Sequence, residues 1–135
     1  MTKYDKIIRK LSFLLAFSNK AYKEYLNNDK QFLYAKIIFN VNKEIKNLLK
    51  NGLLYLPVEN HNDVIDIIFH IDVWANIWLE ENKKQKPTCN DRFSFENKIS
   101  FPKDSVKNII SLYNRPHANI NQKTEDRPEK VPRRQ

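Results

Sequence analysis

From residue 3 to residue 26 a mostly apolar stripe returns at alternating steps of four and three: Tyr4, Ile8, Leu11, Leu15, Ser18, Tyr22 and Tyr25, with Ile7 and Leu14 widening it. Spacing that keeps to one side of a 3.6-residue turn predicts a long amphipathic helix. The run NND at 27–29 interrupts it and supplies candidate caps for a second helix, in which Tyr34, Ile38, Val41, Ile45 and Leu48 repeat the pattern. So short a turn predicts antiparallel neighbours. Asn51-Gly52 reads as the stop, with glycine free to take the left-handed conformation, and Pro57 separates it from a third helix capped by Asn60 or Asn62 and running from about residue 63 to about residue 84.

The third helix has a different pattern. Val64, Ile67, Ile68, Ile71, Trp74, Ala75, Trp78 and Leu79 fill one broad face, while Ile65, Phe69, Val73 and Ile77 fall on the other beside Asp66, Asn76 and Glu80. A helix apolar on two sides is expected to lie between neighbours, either within its own bundle or between the bundle and a second subunit.

The period then changes to two. Phe93, Phe95, Ile99 and Phe101 share one parity, which fits a strand, a small hairpin turning near Asn97, or an extended loop that packs its rings. A short fourth helix follows, with Ser100 as cap, Pro102 in its first turn and Val106, Ile109, Ile110 and Tyr113 facing inward. After Arg115 the periodicity stops, and RPHANINQKTEDRPEKVPRRQ, with three prolines and mixed charge, reads as a disordered basic tail. The fold class expected is mostly α: a small antiparallel bundle of three long helices and one short one over residues 1–115, a Phe-rich extended segment, and a flexible tail over 116–135.

Composition removes several function classes. The 135 residues suffice for one domain with a core that needs no disulfide or metal, and the single cysteine, Cys89, permits neither an intrachain disulfide nor a CxxC motif, which fits a cytoplasmic setting. Gly52 is the only glycine, so neither GxxxxGK[ST], GxGxxG nor GxSxG can be written, and phosphate-cradling loops are absent. No cofactor is expected. The start resembles a secretory signal, but its helical spacing continues to Leu26, which a cleaved peptide does not need. The third helix is long enough to span a membrane, yet Asp63, Asp66, Asp72, Glu80 and Glu81 make that costly, so no integral insertion is expected.

Charge is unevenly laid out. The formal net charge is +8, but residues 1–57 carry eleven Lys and Arg against four Asp and Glu, and residues 58–82 carry six carboxylates and no Lys or Arg. An acidic third helix between basic ones predicts ion pairs at the bundle edges. The basic helices add phenylalanine to their outer sides: Lys6, Lys10, Phe13, Phe17 and Lys20 on the first, and Phe32, Lys36, Phe39, Lys43, Lys46 and Lys50 on the second. Aromatic rings on a solvated face call for a cover. That cover is another element of the chain such as 93–101, a second copy, a protein partner, or nucleic acid whose phosphates meet lysines and whose bases stack on the rings; an anionic membrane surface uses the same pattern, with too few rings for firm insertion.

Two constellations bear on chemistry. Asp63, Asp66 and His70, with Glu59 and His61 just before them, present N/O donors at helical spacing that suit a divalent metal, although first-turn acids are also expected from the helix dipole alone. Cys89 sits among lysines in KQKPTCND, without a histidine beside it, and reads as a free thiol rather than a nucleophile. The all-helical architecture bears a general resemblance to the HEPN ribonucleases. Their signature, an arginine followed four to six residues later by histidine, is missing: His61 and His70 have no arginine upstream closer than Arg9, and Arg115 and His117 are too closely spaced. No catalytic residue carries over. The leading expectation is a non-enzymatic accessory or adaptor protein that binds nucleic acid or a protein partner through the basic, Phe-lined faces. A small metal-dependent or HEPN-like hydrolase using Asp63, Asp66 and His70, and a structural homodimer subunit, are the alternatives.

Overall fold

A computed structural model describes residues 1–114, and the expected tail at 116–135 lies outside them. The described chain is mostly helical: α1 spans Lys3–Asn27, α2 Phe32–Gly52, α3 His61–Gln85 and α4 Lys103–Tyr113, with two short 3-10 turns, Leu53–Tyr55 and Val58–Asn60, between α2 and α3. No helix among the described residues is long and apolar enough to cross a membrane.

α1 starts on a capping box. The Thr2 hydroxyl accepts from the Asp5 N–H at 3.0 Å, and the Asp5 carboxylate accepts from the Thr2 N–H at 3.3 Å, so two N–H groups that the helix leaves free are satisfied reciprocally. α2 is capped differently from the expectation. The NND residues do not cap it and Gln31, which precedes it, makes no side-chain cap; instead the N–H groups of Phe32 and Leu33 donate to the carbonyls of Asp91 at 2.8 Å and Cys89 at 3.0 Å. A distant loop thus supplies the acceptors that α2 lacks in its own sequence.

Gly52 also differs from its expected role. Its φ is −99°, and the left-handed positions belong to Asp29, Lys30 and Lys86. A Cβ at Gly52 would lie 2.8 Å from Ile7 Cδ1, so the only glycine of the chain serves the close approach of α1 to the end of α2.

Two clusters form the interior. The larger joins all four helices through Ile8, Leu11 and Leu14 of α1, Val41, Ile45 and Leu49 of α2, Val64, Ile67 and Ile71 of α3, and Ile109 and Leu112 of α4. The smaller is aromatic: Phe32, Trp78 and Phe93 are buried, with Tyr25, Phe39, Trp74 and Phe95 packed around them. The 92–101 segment forms no strand. A single bridge links Gln31 and Arg92, the Phe93 N–H donates to the Lys30 carbonyl at 2.8 Å, and the Tyr25 hydroxyl donates to the Phe93 carbonyl. The segment is a loop that packs Phe93 into the core and leaves Phe101 exposed.

α3 lies beside α2 and α4. Asp72 pairs with Lys46 of α2, Ser105 of α4 donates to Asp66 at 3.1 Å, and Asn108 donates to Asp63 at 3.1 Å. α4 buries Ser105, Ile109 and Leu112, while Ile110 and Tyr113, expected to face inward, are exposed; the helix is rotated so that Ser105 and Asn108 reach the α3 carboxylates. The helix also begins one residue after Pro102, without a side-chain cap from Ser100.

Candidate interaction surfaces

The outer stripe of α1 stands as the spacing predicts. Lys6, Lys10 and Lys20 are exposed, and Phe13 and Phe17 keep 64% and 46% of their surface open to solvent. The two rings sit one turn apart with centroids 6.0 Å from each other, tilted by 43°. At the end of the stripe Lys20 pairs with Glu24 at 2.9 Å; the hydrogen bond between them raises the Lys20 pKa and lowers that of Glu24. Lys20 is exposed and Glu24 partly so, and a solvent-screened pair of this kind adds little stability.

The expected outer face of α2 is not a surface of the same kind, because Phe32 and Phe39 are internal. Phe32 is buried, stacked on Trp78 at 5.6 Å and edge-on to Phe93 at 5.1 Å; Phe39 is half-buried and stacked on Trp78 at 4.3 Å. The physical reason is that α2 meets two neighbours on different sides. Its central stripe turns to α1, and the flank that bears Phe32, Phe39 and Lys46 turns to α3. Lys46 accordingly pairs with Asp72, and the ammonium groups of Lys36 and Lys43 lie over the Phe32 and Phe39 rings at 5.6 and 5.8 Å. Lys50 remains exposed at the far end.

The metal constellation does not assemble. Among the described residues no group of three His, Cys, Asp or Glu side chains converges. Asp63 accepts from Asn60 and Asn108, and Asp66 accepts from Ser105. His70 is half-buried, edge-on to Phe101 at 5.5 Å, where burial pushes its pKa down against a smaller upward pull from a backbone hydrogen bond at Ser100. The three donors are committed to holding α4 and its approach against α3. Cys89 is exposed in the loop, where its carbonyl, not its thiol, has the structural task of capping α2.

One surface was visible in the pattern but not singled out as a site. On the side of α3 away from the core, Ile65 and Phe69 are 56% and 62% exposed, one turn apart, with Asp66 and Glu80 exposed on the same helix and Asp72 half-exposed. The signal was the second apolar face of the third helix. α3 therefore lies beside its own neighbours on one side, and on the other Ile65 and Phe69 are exposed while Val73 and Ile77 are partly buried. No protein-family model matches the chain, and neither the curated proteins nor the solved structures contain a significant match to it.

Proposed function

We propose that this is a non-enzymatic binding protein, an adaptor whose α1 outer stripe docks against an acidic, partly apolar face of another protein. The observation that supports it is the exposure of Phe13 and Phe17 within a run of lysines. Two adjacent rings left in water favour a cover, and flanking cations select one that carries carboxylates. The nucleic-acid reading relied on four rings spread over two helices. With Phe32 and Phe39 internal, the remaining pair on a single helix turn is a short stacking platform, which favours protein over single-stranded nucleic acid. The hydrolase alternative is left without a converged donor set among the described residues.

The test is affinity capture with the tagged chain and with a Phe13→Ser/Phe17→Ser variant, which is expected to fold because both rings are exposed. A protein retained by the wild type and lost by the variant supports the reading. Retention of single-stranded nucleic acid instead, weakened by Lys6→Gln and Lys10→Gln with a flatter salt dependence, replaces it with the nucleic-acid reading. Partners that bind both forms equally would remove the α1 stripe from the account.

A further inference from the structure

Resting on that reading, we infer that a partner of the α1 stripe is a second copy of this chain, which offers the outer face of its α3. Three observations converge on this pairing. Each face carries two exposed apolar side chains one turn apart, Phe13 and Phe17 on α1 and Ile65 and Phe69 on α3. Each is short of the charge that the other has. Lys6, Lys10 and Lys20 lie along the stripe of the first pair; Asp66 and Asp72 flank the second, held by Ser105 and Lys46 of the same chain, with Glu80 about three turns beyond Phe69, and the sequence from 58 to 82 contains no Lys or Arg.

The third observation is register. Two helices packed antiparallel advance by equal and opposite rises, so facing residues have numbers of constant sum. Setting Phe13 opposite Phe69 places Phe17 opposite Ile65 and Lys10 opposite Asp72 without further adjustment. In the parallel alignment Lys10 falls opposite Asn62 and Lys6 opposite Val58, and the lysine that meets Asp72 is Lys20, so that both members of that pair are already engaged, Lys20 by Glu24 and Asp72 by Lys46, whereas in the antiparallel alignment Lys10 joins Lys46 at Asp72. Self-pairing of either face is disfavoured by like charge: α1 on α1 sets lysines among lysines, and α3 on α3 sets carboxylates among carboxylates.

Because the two faces belong to different helices, the contact is heterologous. Each copy uses its α1 on one neighbour and its α3 on another, so assembly continues past the dimer into rings or open chains. One helix per side gives an interface below roughly 1,200 Å², in the range of weak and reversible association.

Sedimentation of the full chain over a wide concentration range tests this, with Phe13→Ser/Phe17→Ser and Ile65→Ser/Phe69→Ser variants that melt like the wild type. The wild type is expected to show a mean mass that climbs past the dimer with concentration and falls with added salt. Each variant alone is expected to stay monomeric, and an equimolar mixture of the two is expected to form a heterodimer and nothing larger, since each retains the face that the other lacks. Should a serine variant fail to fold, Lys6→Glu/Lys10→Glu, at exposed positions, serves in its place and loses self-association in the same way. A wild type monomeric throughout, an α3 variant that self-associates as before, or a mixture without heterodimer each overturns the inference. If self-association is absent while the Phe13/Phe17 variant still loses a captured protein, the second-copy inference fails and the adaptor reading stands. If both results are negative, both fail.

Discussion

Replacing Phe93 with alanine should do more damage than any other single change in the loop between α3 and α4. Phe93 is 1% exposed and its ring meets Phe32 at 5.1 Å, Trp78 at 5.2 Å and Phe95 at 5.7 Å. The walls of the resulting cavity are rigid rings that collapse poorly, so the cost falls in the upper part of the usual Phe→Ala range, about 4 kcal/mol. If the loop lifts as well, α2 loses the Asp91 and Cys89 carbonyls that cap it, adding about 1 kcal/mol. A domain of this size holds roughly 6 to 15 kcal/mol in total, so the variant stays folded at room temperature. Its melting temperature is expected to drop by about 15 °C. Two signals follow the change separately: circular dichroism at 222 nm reads the helices, and fluorescence reads Trp74 and Trp78, the only tryptophans, both in the aromatic cluster. The fluorescence should shift to the red in the native variant while the helical signal is nearly kept. A drop of less than about 3 °C, smaller than 1 kcal/mol produces at this size, together with unchanged emission, would refute the placement of Phe93 in the core.

Gly52→Ala should destabilise by about 1 to 2 kcal/mol, and by clearly less in an Ile7→Val background, because valine lacks the Cδ1 that the new methyl meets; urea titration of the four proteins gives the coupling, and strict additivity would mean that Ile7 is not what resists the methyl. His70 should make the fold acid-sensitive. Its folded pKa lies below the ordinary value because of burial, so the unfolded chain binds the proton more readily; the associated stability is complete above about pH 6.5 and is lost as pH falls from there through the folded pKa. Thermal melts between about pH 7.5 and 5 should therefore show a larger loss for the wild type than for His70→Gln, and parallel losses would remove His70 as the cause.

The helices were legible because their apolar positions keep one period over many turns, and α1 and α2 carry that signal without a break. What the pattern hid was the second direction in which α2 is buried. Phe32 and Phe39 lie on a flank rich in lysine, and a helical wheel cannot tell a flank that faces solvent from one that faces Trp74 and Trp78 of a helix about forty residues further on. The cap of α2 was hidden for the same reason, since its acceptors come from residues 89 and 91. Asp63, Asp66 and His70 have metal-like spacing on a helix, but spacing along one helix does not say whether the donors turn to one point or, as here, to three different partners. The α1 stripe was legible as an outer face because its lysines and rings fall opposite the core stripe, but the pattern left open what covers the rings, and in the fold Phe13 and Phe17 are exposed.

The loop that caps α2 has a consequence for how the protein comes apart. It works as a clasp, joining the turn at residues 28–33 to residues 89–93 and so closing α2 and α3 into one large ring of chain. The larger apolar cluster does not include it, so the clasp can release while all four helices stay packed. Freed backbone regains about 1 to 2 kcal/mol of conformational entropy per residue, which offsets much of the packing that Phe93 gives up. Opening is therefore a sub-global event, below the free energy of complete unfolding and visible as early amide exchange at Phe32, Leu33 and Phe93. The open form keeps Phe39 stacked on Trp78 and uncovers the edges of Phe32, Trp78 and Trp74 against which Phe93 and Phe95 pack. Apolar edges uncovered in this way are the kind of surface through which chains self-contact, so aggregation is expected to start from the clasp-open form before the helices separate.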